Sequence, residues 1–507
     1  MPPQPPKQDV FPITTKPGIK RDGTEFEGNF YLDGQWCRFQ RGLPRKMGGY
    51  QQITDALAGP VRGCFVSSAN DAIDVYAGSA EVLEKLTIFP DGSVSGLIDR
   101  TPSGFATSDL NVWQFDSMFD AGGSGSVLIA HAGQNLASIA SDVDTPVYYG
   151  DIYGTAALTS TGQSVSGGAC VLGQYLFVYG NDGYLAWSNV NEPTNFATGD
   201  AGSARVTAEK IVYGAHSRAG GTTAPSGLFW SLDCLLRVSY TGGDSVFNVD
   251  TVAREMSILS SSAVIEYDGL FFWPAVDRFL VYNGVVREVP NQMNLNWFFD
   301  NLNFSQRQKV WGTKVPRYGE IWWFYPTMNQ AECGRAVIYN VRESTWYDTS
   351  IARSCGYFSQ VFRNPLWFGV DPTAADTYRL WVHETGVDQV IENQAQAIQS
   401  YFTTCDLSWC ASGPGESWIG VDRWTRIDRI EPDFVQTGQM TATILGKKYA
   451  QSTETQETVY YFDPTTEKFD INQQRRQMRI KFESNVAGGN YQMGQPLLHL
   501  SIGSARQ

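Results

Sequence analysis

Apolar residues along this chain come in short runs, each closed by a turn rich in glycine, asparagine or aspartate. Residues 171–179, Val-Leu-Gly-Gln-Tyr-Leu-Phe-Val-Tyr, are β-branched and aromatic and predict a buried strand. Asn181-Asp182-Gly183 follows, residues that tolerate positive φ and suit a tight hairpin turn. Residues 184–187 predict the return strand, which Asn191-Glu192-Pro193 ends because proline offers no ladder donor. The same unit recurs. Residues 29–32 and 35–39 predict a hairpin about Asp33-Gly34, and residues 63–67, 74–77, 84–89 and 94–98 predict strands spaced about ten residues apart. Residues 264–273 turn at Asp268-Gly269 and residues 278–286 at Asn283-Gly284, together a four-stranded meander the size of one propeller blade. Glu320-Ile321-Trp322-Trp323-Phe324-Tyr325-Pro326 is apolar on both faces, so it is expected to be buried on both, with Trp322 and Trp323 in the core. One helix is predicted where Leu295, Phe298, Phe299 and Leu302 recur at helical spacing behind Asn294, a candidate cap.

The pattern divides the chain into three. Residues 1–20 are rich in proline and predict an extended N-terminal arm. Residues 21–385 predict a β-propeller-like body, interrupted over 131–165 by an irregular insertion rich in small residues. Residues 386–507 predict a separate β-sandwich-like module, entered through a short helix or an irregular crossover over 387–401. The fold class is all-β with few short helices.

Composition agrees with that class. Fifty glycines, 13% aromatic residues and 18% charged residues among 507 suit many strands and turns. The net charge of −14 repels phosphate at long range and argues against a conventional sequence-reading DNA protein, though not against DNA that merely passes by. Four histidines leave little imidazole chemistry. The eight cysteines are scattered without a CxxC pair and read as buried free thiols of a reducing cytosol, with Cys405 and Cys410 near enough to bridge or to share a metal. The N-terminus lacks the basic and apolar regions of a signal peptide, and no run reaches the roughly 18 apolar residues of a membrane span. A soluble protein without a membrane span is expected. Arg41, Arg45 and Lys46 form a basic loop, either solvated or a docking surface for an acidic partner.

Catalytic motifs are absent from the sequence. There is no G-x-S-x-G, no HExxH and no EF-hand loop, and Gly446-Lys447 has Thr441 where a phosphate loop needs its first glycine. Asp182-Gly183 precedes Trp187 without the Ser-x-Asp-x-Gly-x-Thr-Trp order of a sialidase box. Paired carboxylates for glycoside hydrolysis are a spatial property that sequence does not reveal. The expectation is a protein that is not an enzyme, with no catalytic residues, cofactor or metal.

Four stretches resemble the tail nozzle or hub proteins of short-tailed bacteriophages, also called packaged-DNA stabilisation proteins. They are residues 18–24 with 34–39, residues 186–196, residues 320–326 with Tyr339, Asn340 and Trp346, and residues 430–434 with 475–485. The positions carrying the likeness are Trp36, Trp187, Ser188, Pro193, Phe196, Trp322, Trp323, Tyr325, Pro326, Trp346, Pro432, Asp433, Phe434, Arg476 and Asn485. The resemblance implies a virion protein assembled in the host bacterial cytoplasm as a homo-hexameric ring. It implies docking beneath the portal-adaptor ring, contact with tail fibres or spikes, and genome DNA passing through the lumen without sequence recognition. On that reading acidic side chains dominate the lumen, and Arg41, Arg45 and Lys46 face partner proteins. The alternatives are a carbohydrate-binding or depolymerising tail spike and a hub component of a long-tailed phage.

Overall fold

A computed structural model describes residues 9–69, 72–101, 105, 107–109, 111–122, 125–133, 147–148, 165–217, 225–243, 245–358, 362–407 and 423–505. The insertion expected over 131–165 lies outside the described residues except for 131–133, 147–148 and 165, and Cys410 lies outside them altogether.

Among the described residues seven consecutive sheets are arranged as blades, antiparallel except where Val147–Tyr148 pairs parallel with Gly125–His131 and Gln389–Ile391 pairs parallel with Tyr50–Gln52. Blade 1 runs from Val61–Ala69 to Ile98–Asp99, and blade 2 contains Gln114–Asp120, Gly125–His131 and Val147–Tyr148. Blade 3 spans Gly168–Leu172 to Gly202–Arg205, and blade 4 Ile211–Ser217 to Phe247–Arg254. Blade 5 spans Ile265–Tyr267 to Val286–Glu288, and blade 6 Trp311–Val315 to Thr345–Ser350. Blade 7 starts with Cys355–Tyr357, Leu366–Asp371 and Ala374–His383. Its next strand comes from the far end of the chain: Tyr50–Gln52 pairs antiparallel with Ala374–His383, Tyr50 opposite His383. The hairpin Gln389–Ile391 and Gln394–Gln396 then widens the same sheet, in place of the helix or crossover expected there. The first strands of the blades surround one central cavity, and the first strand of blade 7 lies beside that of blade 1. The ring is a β-propeller-like body whose last blade is completed by Tyr50–Gln52, a strand that precedes the first blade in the chain and so ties the two ends of the ring together.

Burial explains why the blades stack. Phe177 and Leu185 of blade 3 share a core with Phe229 and Leu236 of blade 4. Trp230 packs on Trp273 between blades 4 and 5, and Phe279 packs on Trp323 between blades 5 and 6. Middle strands such as Tyr175–Tyr179, Ser226–Ser231 and Glu320–Tyr325 are therefore buried on both faces, as Trp322 and Trp323 foreshadow, whereas outer strands such as Gly202–Arg205 are partly exposed.

The second module is built from both chain ends. One sheet orders Asp33–Gln35, Ser400–Thr403, Gln477–Ser484, Met440–Lys447 and Thr455–Phe462. A second orders Asp9–Pro12, Leu497–Ala505, Arg423–Glu431 and Phe469–Arg475. A third joins Phe434–Thr437 and Asn490–Met493 to the hairpin Leu43–Lys46 and Cys37–Gln40. The expected arm is thus paired from Asp9 onward, because Asp9–Pro12 finds an edge to complete on Leu497–Ala505. Asp9–Pro12, Asp33–Gln35, Cys37–Gln40 and Leu43–Lys46 lie in the module's sheets rather than in an arm and a propeller, while Lys16–Ile19 pairs with Phe30–Tyr31 and lies against Thr345–Ser350 of blade 6. The module's core is continuous with that of blades 6 and 7: Trp36, Phe402 and Ile430 share one cluster with Trp322, Trp367 and Trp381.

Three local expectations change. Residues 171–179 form a hairpin turned at Gly173 (φ 63°), with Gly168–Leu172 paired to Tyr175–Tyr179. Asp33-Gly34 is not a turn; Asp33–Gln35 pairs with Ser400–Thr403, and the chain turns at Arg41-Gly42 instead (φ 56° and 76°). Gly34 is glycine for close approach, since a Cβ there would lie 2.7 Å from the Ile19 side chain. The helix Leu295–Asn301 forms with Asn294 at its N-cap, but Asn294 makes no side-chain cap bond. Asp22 supplies it, its carboxylate accepting the N–H groups of Asn296 (2.9 Å) and Trp297 (2.8 Å). Asp22→Ala is expected to lower stability by about 1 kcal/mol, read as a thermal midpoint shift; no change would assign the cap elsewhere.

Candidate functional site

Two constellations concentrate ionisable groups inside the molecule. The first is the central cavity, of about 440 Å³. Phe65, Phe115, Tyr213 and Tyr357 line it together with Asp116, which stands on the first strand of blade 2. Asp116 Oδ2 accepts the Val171 N–H of blade 3 (2.7 Å) and Oδ1 that of Ser117 (2.8 Å). Burial pushes its carboxyl up to about 6, and those two backbone donors only partly offset it. Burial also raises the Tyr213 and Tyr357 phenols, with the Asp116 charge adding to it. Across the cavity Lys314 pairs with Glu266 at 3.0 Å. Gln114 ties three blades at one end: its Nε2 donates to Gly167 O (2.8 Å) and Val212 O (3.2 Å), and its Oε1 accepts from Tyr179 (2.6 Å).

A carboxyl raised in the folded state binds its proton more tightly there than in the unfolded chain. Its contribution is therefore most favourable below the unfolded value and is lost as pH rises through about 6. Asp116→Asn, which keeps an acceptor for Val171, is expected to be more stable than the parent at pH 7, with that advantage vanishing below about pH 4. Thermal melts across this window check it; an advantage unchanged with pH would place the carboxylate in solvent.

The second constellation welds the module to the propeller. Arg38, on Cys37–Gln40, is 1% exposed and Glu320, at the start of Glu320–Tyr325, is 0% exposed. Arg38 Nε lies 2.9 Å from Glu320 Oε1, and its other nitrogens engage Glu384 of blade 7, Nη1 at 2.8 Å. Tyr347 donates to Glu320 Oε1 (2.7 Å), Trp322 donates to Oε2 (2.9 Å), and Tyr318 lies 3.7 Å beneath the guanidinium. Burial pushes the Glu320 carboxyl up while the Arg38 charge pulls it back. Nearby, Arg21 donates to Asp348 of blade 6 (2.9 Å) and also bonds Asp33 and Gly34 O of the module. Arg335 holds the other oxygen of Asp348 at 2.9 Å.

The basic loop divides between these surroundings. Arg41 takes a left-handed turn conformation, and its N–H and that of Gly42 bind the Glu343 carboxylate of blade 6. Arg45 donates to Gln40 (2.7 Å). Lys46 does not fit a docking surface: it is buried, donates to Gly489 O at 2.7 Å, and burial pushes its ammonium down to about 8 against the Asp388 charge.

The other positions that carry the resemblance are distributed over the blades and the module. Trp36 is buried in a left-handed turn and donates to Gly48 O (3.1 Å). Trp187 donates to Asp200 O (2.8 Å), and Ser188 accepts the Leu176 N–H (3.0 Å). Pro193 and Phe196 are buried beside a turn in which Glu192 accepts from Asn189 and Asn195. Trp323 donates to Ala263 O and Trp346 to Pro290 O, each at 2.9 Å, while Tyr325 and Pro326 are buried. Asp433 is exposed and accepts the Gln495 N–H (2.6 Å) beside half-buried Pro432. Phe434 packs on Phe482, Arg476 lies over Tyr449, and Asn485 is exposed. The roles of Asp116, Arg38 and Glu320 escaped the sequence, since the partner that a buried charge meets is not written beside it. Among the described residues no cluster of three His, Cys, Asp or Glu side chains is placed to hold a metal, and Cys405 is a free, buried thiol. No helix among the described residues is long and apolar enough to cross a membrane.

No family model and no curated protein matches the chain. Among solved structures, it is similar to the computationally designed Ika8 protein, at 12% identity and a TM-score of 0.34, covering 66% of this chain and 99% of that one. It is also similar to BBS1N, solved in complex with ARL6DN, at 8% identity and a TM-score of 0.40, covering 67% and 96%. At those scores the fold assignment rests on the strand order of this chain. That order defines an all-β, propeller-like protein with an appended β-module.

Proposed function

We propose that this chain is a structural subunit of a short-tailed phage tail, one of six copies in the nozzle or hub ring beneath the portal-adaptor. The observation that supports this most is the weld. Buried ion pairs from Arg38 and Arg21 join the module to blades 6 and 7, so the two bodies move as one, as a ring under internal pressure needs. A cavity of about 440 Å³ has the size of a small-molecule pocket and no room for a duplex, so the DNA path on this reading runs between subunits. The net charge of −14 suits a wall that does not grip phosphate. Tail fibres or spikes dock on the outer face, and the protein is not an enzyme.

The native mass of the purified protein, alone and mixed with a portal-adaptor ring, tests the reading. A six-fold ring, free or formed on the adaptor, is expected. A trimer that ignores the adaptor and cleaves polysaccharide would overturn it in favour of a spike.

A further inference from the structure

The cavity wall carries one feature that neither the weld nor Asp116 uses. Cys64, on Val61–Ala69 of blade 1, faces Cys355, on Cys355–Tyr357 of blade 7, with Sγ to Sγ 3.4 Å apart. These are the innermost strands of the first and last blades, and the two residues are 291 positions apart. We propose that Cys64 and Cys355 are an oxidisable pair that forms a disulfide across the closing seam of the propeller when the protein meets a low-molecular-weight disulfide.

Three observations carry this. A disulfide has an S–S length near 2.05 Å, so the sulfurs need approach by only roughly 1.4 Å. Other thiols are engaged elsewhere: Cys333 contacts Lys309 O, Cys405 contacts Asn29, and Cys234 contacts Thr207. Cys64 is half-buried on the cavity wall whereas Cys355 is buried, so a small reagent in the cavity reaches Cys64 first.

The chemistry balances without an outside electron acceptor beyond that reagent. The Cys64 thiolate attacks one sulfur of the small disulfide, forming a mixed disulfide and releasing one thiolate. The Cys355 thiolate then attacks the Cys64 sulfur, forming the protein disulfide and releasing the second thiolate. The two protons lost by the cysteines pass to the two leaving thiolates. Two protein thiols are oxidised and one small disulfide is reduced to two thiols. Burial raises the Cys64 thiol well above its ordinary range, so the reaction quickens as pH rises. In a reducing cytosol the pair stays as two thiols, and in an oxidising medium the staple closes.

The test incubates the full-length protein with oxidised glutathione, denatures it, alkylates the remaining thiols and maps the peptides. The expected result is a peptide linking residues 64 and 355 and a chain lighter by two hydrogens. The oxidised form is expected to melt higher by an amount on the order of 5 °C, because the cross-link closes a long loop. Cys64→Ser and Cys355→Ser each abolish the linked peptide, and Cys170→Ser, which removes another thiol of the cavity wall, retains it. Full alkylation of both cysteines after oxidation, a lasting glutathione adduct on Cys64, or linkage to another cysteine would each overturn the proposal.

Discussion

Arg38→Met is expected to destabilise the protein by about 3–5 kcal/mol, the usual cost of stranding a buried charge. Glu320 and Glu384 would both lose their counter-ion, and Glu320, with no exposure, would have no water to turn to. Tyr347 and Trp322 would still donate to Glu320, but hydrogen bonds alone do not replace a full charge. Urea unfolding followed by tryptophan fluorescence reads the effect, since Trp322 sits on the same carboxylate. The loss should fall as pH drops and Glu320 takes up a proton, because burial already favours its neutral form. Adding Glu320→Gln should return part of the loss by removing one stranded charge. A variant of unchanged stability would mean the weld is hydrated, and the single-body reading of module and propeller would fail with it.

Trp323→Ala is the second large effect, at about 3–5 kcal/mol. The indole has no exposure and touches Phe279 (5.1 Å between centroids) and Trp346 (6.0 Å). Its removal opens a void between blades 5 and 6 and strands the Ala263 carbonyl, which accepts its N–H. Trp323→Phe keeps most of the volume and loses the bond, so it should cost less than half as much. Equal losses for the two variants would show that the hydrogen bond, not the packing, sets the energy.

What the sequence reveals follows the range of each interaction. The turns at Asp268-Gly269 and Asn283-Gly284 are local, and the hairpins there form as the residues suggest. The Trp322-Trp323 run shows its own burial, since no solvated strand carries indoles on both faces. Asp33-Gly34 misleads because the same dipeptide serves a turn or a close approach, and only the neighbour, Ile19, decides which. Lys46 misleads because a lysine's surroundings are not written beside it; Gly489 is 443 positions away. The closure of blade 7 by Tyr50–Gln52 and the cap from Asp22 are unreadable for the same reason. The ion pair of Arg38 with Glu320 likewise joins residues 282 positions apart, and although Glu320 opens a run expected to be buried, nothing beside it names its partner.

The sharing of one module by both chain ends has a consequence for synthesis. Trp36 O accepts the Ser400 hydroxyl 364 positions later, and a ribosome adding about 5–20 residues per second needs roughly 20–70 s to supply that partner. Through that interval the strands Asp9–Pro12, Asp33–Gln35 and Leu43–Lys46 have edges whose partners, Leu497–Ala505, Ser400–Thr403 and Asn490–Met493, are not yet made. They are short, and Pro12 and Pro44 interrupt two of their donor rows, which denies neighbouring nascent chains a template to extend. The blades from Val61–Ala69 onward can stack in order as they emerge, while the ends wait. Completion of the molecule is therefore an act of its last hundred residues.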